Sequence, residues 1–566
     1  MNITGYPQDP QPTRGTTAQA RLAHAPRFSR SRLIAAFTVL SALVIAWAIA
    51  GPTTANAAQR SAAPLVVGTN AGQLKGIGND GAREFRGVPY AAPPTGDLRW
   101  RAPQDVAHWS GVRDASTYSP VCPQDPISPN GSSEDCLYLN VTTPTATSAK
   151  SLPVIVFLHG GGFEFGEGAD YDADKLANSN SGAVVVTINY RLGLLGFLAH
   201  PALADHAGGP TGNYGLMDQQ AALRWVKTNI ASFGGDAHNV TLAGQSAGGL
   251  SVLQQLVSPG AKGLFQRAVI ESGAFAPKQK SLAQAEAEGK ATATALGCAD
   301  QSAECLRSVP VDTLVANQPL SITPGVVDGA VVKQSVGAAI ATGNFARVPI
   351  INGSNTSEER IFTELGLTVS KGATKVLSGP NPVTTENYQS TLATVFGVSQ
   401  SAAARIAAQY PLSKYATPNH AFSTAASDAN FSCPAIALDA AASLWTPTYG
   451  YEFNDGNAPW RDAADTLGAP LEATHASELQ YLFDLPNALP GTLSADQQKL
   501  AATMRGSWTQ FAATGAPATA GQQWPKFDIL HHKTLSLVAP TPQAKTDFAS
   551  AHHCGFWATV ALTTGW

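Results

Sequence analysis

The chain has 566 residues, 36 basic and 40 acidic, for a net charge of −4. No basic stripe runs through it, which excludes nucleic acid as a partner class. Only 13% of residues are charged, so Ala, Gly, Ser and Thr must cover much of the surface.

Residues 1–32 are polar and end in Arg27, Arg30 and Arg32. The apolar run LIAAFTVLSALVIAWAIA (33–50) follows, then Ala55, Asn56 and Ala57 in A-x-A order. This is the layout of a secretory signal peptide with a long n-region, cleaved after Ala57. The alternative is an uncleaved anchor, since a run of this length can just span a bilayer. Cleavage would leave residues 58–566 as a secreted, extracellular chain with no membrane contact, expected to be a monomer. In an exported protein the six cysteines point to disulfides. Cys122 lies near Cys136 and Cys298 near Cys305, which leaves Cys433 for Cys554, although the residues alone keep other pairings open. No C-x-x-C pair occurs, which argues against zinc. Asp170, Asp172 and Asp174 alternate as in a calcium loop. Lys175 stands where that loop needs Gly, and its closing Glu is missing, so no metal is expected.

Further along, apolar and partly β-branched runs at 153–158, 183–189, 240–243, 268–270 and 348–351 read as strands buried on both faces. Leu223, Val226, Ile230 and Phe233 keep helical spacing after Asp218. So do Leu500, Met504, Trp508 and Phe511, with Ser494 as N-cap and Gly515-Ala516-Pro517 as the stop. The stretch from about 365 to 430 predicts a helical region over a sheet edge. Strands alternating with helices predict an α/β fold with a mostly parallel central sheet flanked by helices. With no linker or internal repeat, residues 58–566 read as one large domain.

Two glycine-rich segments carry the chemistry. GQSAGG (244–249) follows the run VTLA and precedes a helical stretch. Strand, sharp turn and helix make G-x-S-x-G a nucleophile elbow, with Ser246 at its tip. HGGGF (159–163) follows the strand-like run at 153–158. Consecutive glycines expose backbone N–H groups, and an oxyanion needs such donors. With the residue after the nucleophile, this assigns Gly161, Gly162 and Ala247 as an oxyanion hole. A phosphate loop fails because no G-K-[ST] follows.

The chain resembles the type-B carboxylesterase/lipase family, the cholinesterase-like α/β-hydrolases, and is similar in style to bacterial secreted carboxylesterases. The resemblance rests on FRGVPYAAPP (85–94), SEDCLYLN (133–140), HGGGF, NYRLG (189–193), GNYGLMDQ (212–219) and GQSAGG. It implies an α/β-hydrolase fold and the bridges Cys122–Cys136, Cys298–Cys305 and Cys433–Cys554. It implies a catalytic acid in a G-x-N-x-D-E-G segment. Here that segment is GSNTSEER (353–360), where Glu358 aligns with the acid, Ser357 replaces Asp, and Glu359 replaces Gly and is a rival. The base falls in HASELQYLF (475–483), at His475, and the order Ser…Glu…His suits this fold. The resemblance also implies that Arg99 pairs with Glu134 and Arg191 with Asp218. His159 is expected to shape its loop, and His531-His532 and His552-His553 read as surface pairs.

These residues together predict a serine carboxylic-ester hydrolase working through an acyl-enzyme on small to medium neutral esters, without cofactor. The alternatives are a lipase for longer-chain acylglycerols and an inactive binding module. The base must be neutral, so activity should fall as pH drops through the range where histidines ordinarily protonate, about 6–7. Between Cys122 and Cys136 there is no aromatic residue to hold a choline cation, so choline esters should be poor substrates.

Overall fold

The structure is a computed structural model. It describes residues 65–564 except 80, 126–127, 146–150, 206–208, 319–324, 371–372, 378–381, 460–468 and 487–490. The apolar run at 33–50 and the A-x-A signal lie outside the described residues. The described residues belong to one compact unit.

An 11-stranded sheet organises that unit. Its centre, in spatial order, is Thr534–Leu537, Thr448–Phe453, Ile350–Asn355, Arg267–Glu271, Gly235–Gln245, Leu152–Leu158 and Val184–Ile188, all parallel. Antiparallel strands extend both edges: Gln543–Lys545 on one, and Tyr138–Pro144, Ala82–Pro89 and Ile77–Gly78 on the other.

The continuous apolar runs of the sequence have a direct reason here. Along Leu152–Leu158, Val154, Val156 and Leu158 enter the core on one face, while Ile155 and Phe157 enter the core on the other. With alternate side chains buried on opposite faces, the strand is apolar along its length rather than at every second position. The helices Tyr214–Asn229 and Ala247–Val257 cover the first face. Ala495–Thr514 covers the second through Leu500, Met504, Trp508 and Phe511. Its start and stop follow the sequence: Ser494 and Gln497 form a reciprocal capping box, and Gly515 ends it with φ 79°. The 365–430 region holds the helices Tyr388–Phe396, Gln400–Gln409 and Pro418–Ser427, plus a hairpin of Leu367–Ser370 with Ala373–Val376 that the sequence reading missed.

Strand order places the site. From Leu152–Leu158 the chain moves outward to Val184–Ile188, then crosses back to Gly235–Gln245 on the other side of the first strand. The order reverses there, and the C-terminal ends of two neighbouring strands diverge into a crevice. His159 follows one of those strands and Ser246 the other.

The cysteines form Cys122–Cys136, Cys298–Cys305 and Cys433–Cys554, the last spanning 121 residues. That bridge ties the C-terminal helix Cys554–Thr564 to the helix Cys433–Ser443. Beside it the surface reading of His552 is corrected. His552 is buried, with Nδ1 2.5 Å from Asp428 Oδ1 and Nε2 2.7 Å from Glu452 Oε1. Two acids brought from distant segments made this invisible in sequence. Burial alone would lower the imidazole pKa, but the two carboxylates overcome it and raise it to about 10. A folded value above the ordinary 6.5 or so means stabilisation that is complete below about pH 6.5 and lost as pH rises through 10. Wild type should therefore lose more stability between pH 7 and 10 than His552→Gln, read by urea unfolding at both pH values. Equal losses would remove the clamp from the account.

Candidate active site

Ser246 ends the Gly235–Gln245 strand and caps the Ala247–Val257 helix with φ 57° and ψ −121°. A side chain at positive φ is strained, and the surroundings must hold it. They do so through Ser246 N–H donating to Glu271 O at 2.8 Å and Leu250 N–H donating to Ser246 O at 2.9 Å. The flanking glycines permit close approach. A Cβ on Gly248 would lie 2.0 Å from Leu158 O, so the helix start rests directly on the neighbouring strand end. Ala247 is the first residue of that helix, and its N–H has no intrahelical acceptor.

The HGGG loop lies alongside. A Cβ on Gly160 would meet Ser246 Cβ at 3.1 Å, which brings this loop against the elbow. Gly161 has φ 100°, and a Cβ there would fall 2.0 Å from Phe165 O; Gly162 has φ 64° and open space. His159 is buried, stacked on Tyr190 at 4.3 Å, with Nδ1–H donating to Gly160 O at 2.8 Å. Burial pushes its pKa down to about 4, so it stays neutral and shapes the loop.

The remaining pair comes from loops after two more strands. Glu358 follows Ile350–Asn355 and is wholly buried. Its Oε2 lies 2.5 Å from His475 Nδ1, and its Oε1 accepts from Asn355 N–H at 2.8 Å. With Nδ1–H donating to the carboxylate, the other ring nitrogen is an acceptor. That nitrogen, Nε2, lies 3.3 Å from Gln245 Nε2, on the residue before Ser246. Glu359 faces elsewhere. It accepts from Val369 N–H and Asn430 Nδ2, and burial pushes its carboxyl up to about 8. The rival acid is thus not in contact with the imidazole.

Four supporting residues had no role in the sequence reading. Asn355 holds Glu358 through its N–H, and its side chain donates to Thr474 O at 2.7 Å, beside His475. It sits within the quoted G-x-N segment, a signal that could have found it. Phe362 and Phe431 pack on the His475 ring at 5.0 and 5.3 Å. Glu478 is buried three residues past His475, its carboxyl pushed up to about 7, first by burial and then by Glu358. The braces implied by the resemblance are present. Arg99 binds Glu134 at 2.7 and 2.6 Å, and Arg191 binds Asp218 at 2.8 and 2.7 Å. Among the described residues no His/Cys/Asp/Glu group could hold a metal ion.

The sheet order and the strand–serine–helix elbow at the switch point define an α/β-hydrolase. The chain belongs to the carboxylesterase family, whose model matches residues 63–557. It is 35% identical over 512 residues to the fumonisin B1 esterase of Sphingopyxis macrogoltabida, covering 86% of this chain and 89% of that one. To the para-nitrobenzyl esterase of Bacillus subtilis (strain 168) it is 34% identical over 498 residues, with 83% and 94% covered. A solved thermophilic PNB esterase superposes with a TM-score of 0.73 at 31% identity, covering 87% of this chain and 99% of that one. The protein is therefore an enzyme of the carboxylesterase kind.

Proposed function

We propose that the protein is a secreted serine carboxylic-ester hydrolase that turns over small to medium neutral esters through Ser246, His475 and Glu358. The observation that carries this is the imidazole whose Nδ1 is tied to a buried carboxylate while its Nε2 lies 3.3 Å from Gln245 Nε2, on the residue before the strained Ser246. Ser246 Oγ attacks the ester carbonyl as His475 Nε2 takes its proton. Glu358 holds the tautomer and stabilises the imidazolium. The Gly161, Gly162 and Ala247 N–H groups receive the oxyanion. His475 then protonates the departing alcohol, and water repeats the cycle on the acyl-Ser246. The relatives' names, fumonisin B1 esterase and para-nitrobenzyl esterase, agree with an ester as the bond cleaved. Export with cleavage after Ala57 belongs to the same reading. N-terminal sequencing of the mature protein tests it, and a start far upstream of Ala58 would reject it.

The test of the chemistry is burst kinetics on p-nitrophenyl acetate and butyrate. A burst equal to the enzyme concentration supports the acyl-enzyme, and no turnover together with no labelling of Ser246 by a phosphonate rejects it. The oxyanion assignment has its own test. In Gly161→Ala the added Cβ would strike Phe165 O and displace the loop. We expect kcat to fall by about 10²–10³, the loss seen when one oxyanion donor is removed. A folded variant with wild-type kcat would exclude Gly161 as a donor.

A further inference from the structure

We infer that Glu359, where the resembled pattern has Gly, is a positioning residue that fixes an aromatic wall beside His475 and thereby sets which acyl-chain lengths the site accepts. The inference rests on the esterase reading above. Glu359 gathers three segments around one buried side chain. Its N–H donates to Ser427 Oγ at 2.9 Å. Its Oε1 accepts from Val369 N–H at 2.9 Å and from Asn430 Nδ2 at 3.4 Å, and its Oε2 lies 3.0 Å from Thr368 Oγ1. Asn430 Nδ2 also donates to Val369 O at 2.6 Å. The strand Leu367–Ser370 and the π-helical turn Asp428–Ser432 are thereby fastened to the residue after Glu358.

That turn carries Phe431. Its ring packs on His475 at 5.3 Å and on Phe275 at 5.6 Å. Phe275 in turn lines a cavity of about 630 Å³, with Ala429, Asn430, Ile340 and Leu253 among its other walls. The lining is largely apolar, and Leu253 lies on the helix that begins beside Ser246. Phe431 thus touches both the catalytic base and a wall of an apolar space large enough for an alkyl chain. A turn held still keeps the ring between them. A loosened turn lets the ring move, opens the space to longer acyl chains, and removes a packing face from His475.

Glu359 Oε2 accepts from Thr368 Oγ1–H at 3.0 Å and shares the Val369 N–H with Oε1 at 3.2 Å. A glutamine keeps the Oε1 acceptor for Val369 N–H, and its Nε2–H can donate to Thr368 Oγ1 once that hydroxyl turns to Val369 O at 3.4 Å. Alanine can do neither.

The experiment compares kcat/KM for p-nitrophenyl octanoate and acetate in the full chain. We expect the octanoate-to-acetate ratio to rise about tenfold in Glu359→Ala, within the range that pocket contacts control, and to stay at the wild-type value in Glu359→Gln. An unchanged or lower ratio in folded Glu359→Ala overturns the inference, as does a Gln variant that matches the Ala one. If Glu359→Ala does not fold, Thr368→Val, which removes one anchor, should raise the ratio by a smaller factor. No rise there overturns it equally. Wild-type turnover that survives Ser246→Ala would reject the esterase reading itself. Ser246-dependent turnover with an unmoved ratio rejects only the role of Glu359.

Discussion

Ser246→Ala should lose on the order of 10⁶ in kcat for p-nitrophenyl butyrate, the scale set by removing the nucleophile from another serine hydrolase. The substitution deletes one oxygen and keeps the Cβ, so it adds no clash where the helix rests on Leu158. Alanine at φ 57° is no more strained than serine, and the backbone bonds that hold the turn, to Glu271 O and from Leu250 N–H, are untouched. The fold should therefore persist, and lost activity reports on chemistry. A residual rate about 10³–10⁴ above water, as in comparable enzymes, would come from oxyanion donors and substrate binding. The measurement is steady-state turnover beside phosphonate labelling and an unfolding curve. A folded Ser246→Ala with wild-type turnover would mean that the elbow is only a turn and that another group attacks.

The largest stability effect should come from the Arg191–Asp218 brace. Arg191 follows the Val184–Ile188 strand, and Asp218 lies on the Tyr214–Asn229 helix. Both are buried, and the carboxylate accepts from Arg191 Nε, Nη2 and the Arg191 N–H. Asp218→Ala leaves a buried guanidinium without its partner, a change that costs about 3–5 kcal/mol in comparable cases. Replacing both residues, as in Arg191→Met with Asp218→Leu, removes the desolvated charges together and should recover much of that loss. The consequence reaches the site. The same loop gives Gly193 N–H to Phe163 O at 2.7 Å and Tyr190 OH to His159 O at 2.7 Å, so a loosened brace unsettles the HGGG loop. Urea midpoints for the single and double variants check this. A single variant as stable as wild type, or a double variant less stable than the single, would show that the pair is not a brace.

Much of the fold was legible because the local physics was one-sided. Strands buried on both faces are mostly apolar along their length, so the runs near 153–158 and 183–189 stand out from the chain. The Ser494 capping box and the Gly515 stop are properties of a few adjacent residues, and they mark the Ala495–Thr514 helix. The elbow was equally local. Glycine is required wherever backbone meets backbone, as Gly248 meets Leu158, so GQSAGG records its own packing. The sequence by itself thus determined the α/β alternation, the serine turn, the glycine loop and the segments that carry His475 and Glu358. Only the tertiary structure decided what depends on contacts between distant segments. Two adjacent glutamates are equivalent in composition, yet Glu358 meets His475, 117 residues further on, while Glu359 turns to Thr368, Val369 and Asn430. His552 looked like a surface residue until Asp428 and Glu452 arrived from other elements. Periodicity and turn chemistry act over a few residues. The partners of His475 and His552 come from segments a hundred or more residues away, and neither periodicity nor turn chemistry reaches that far.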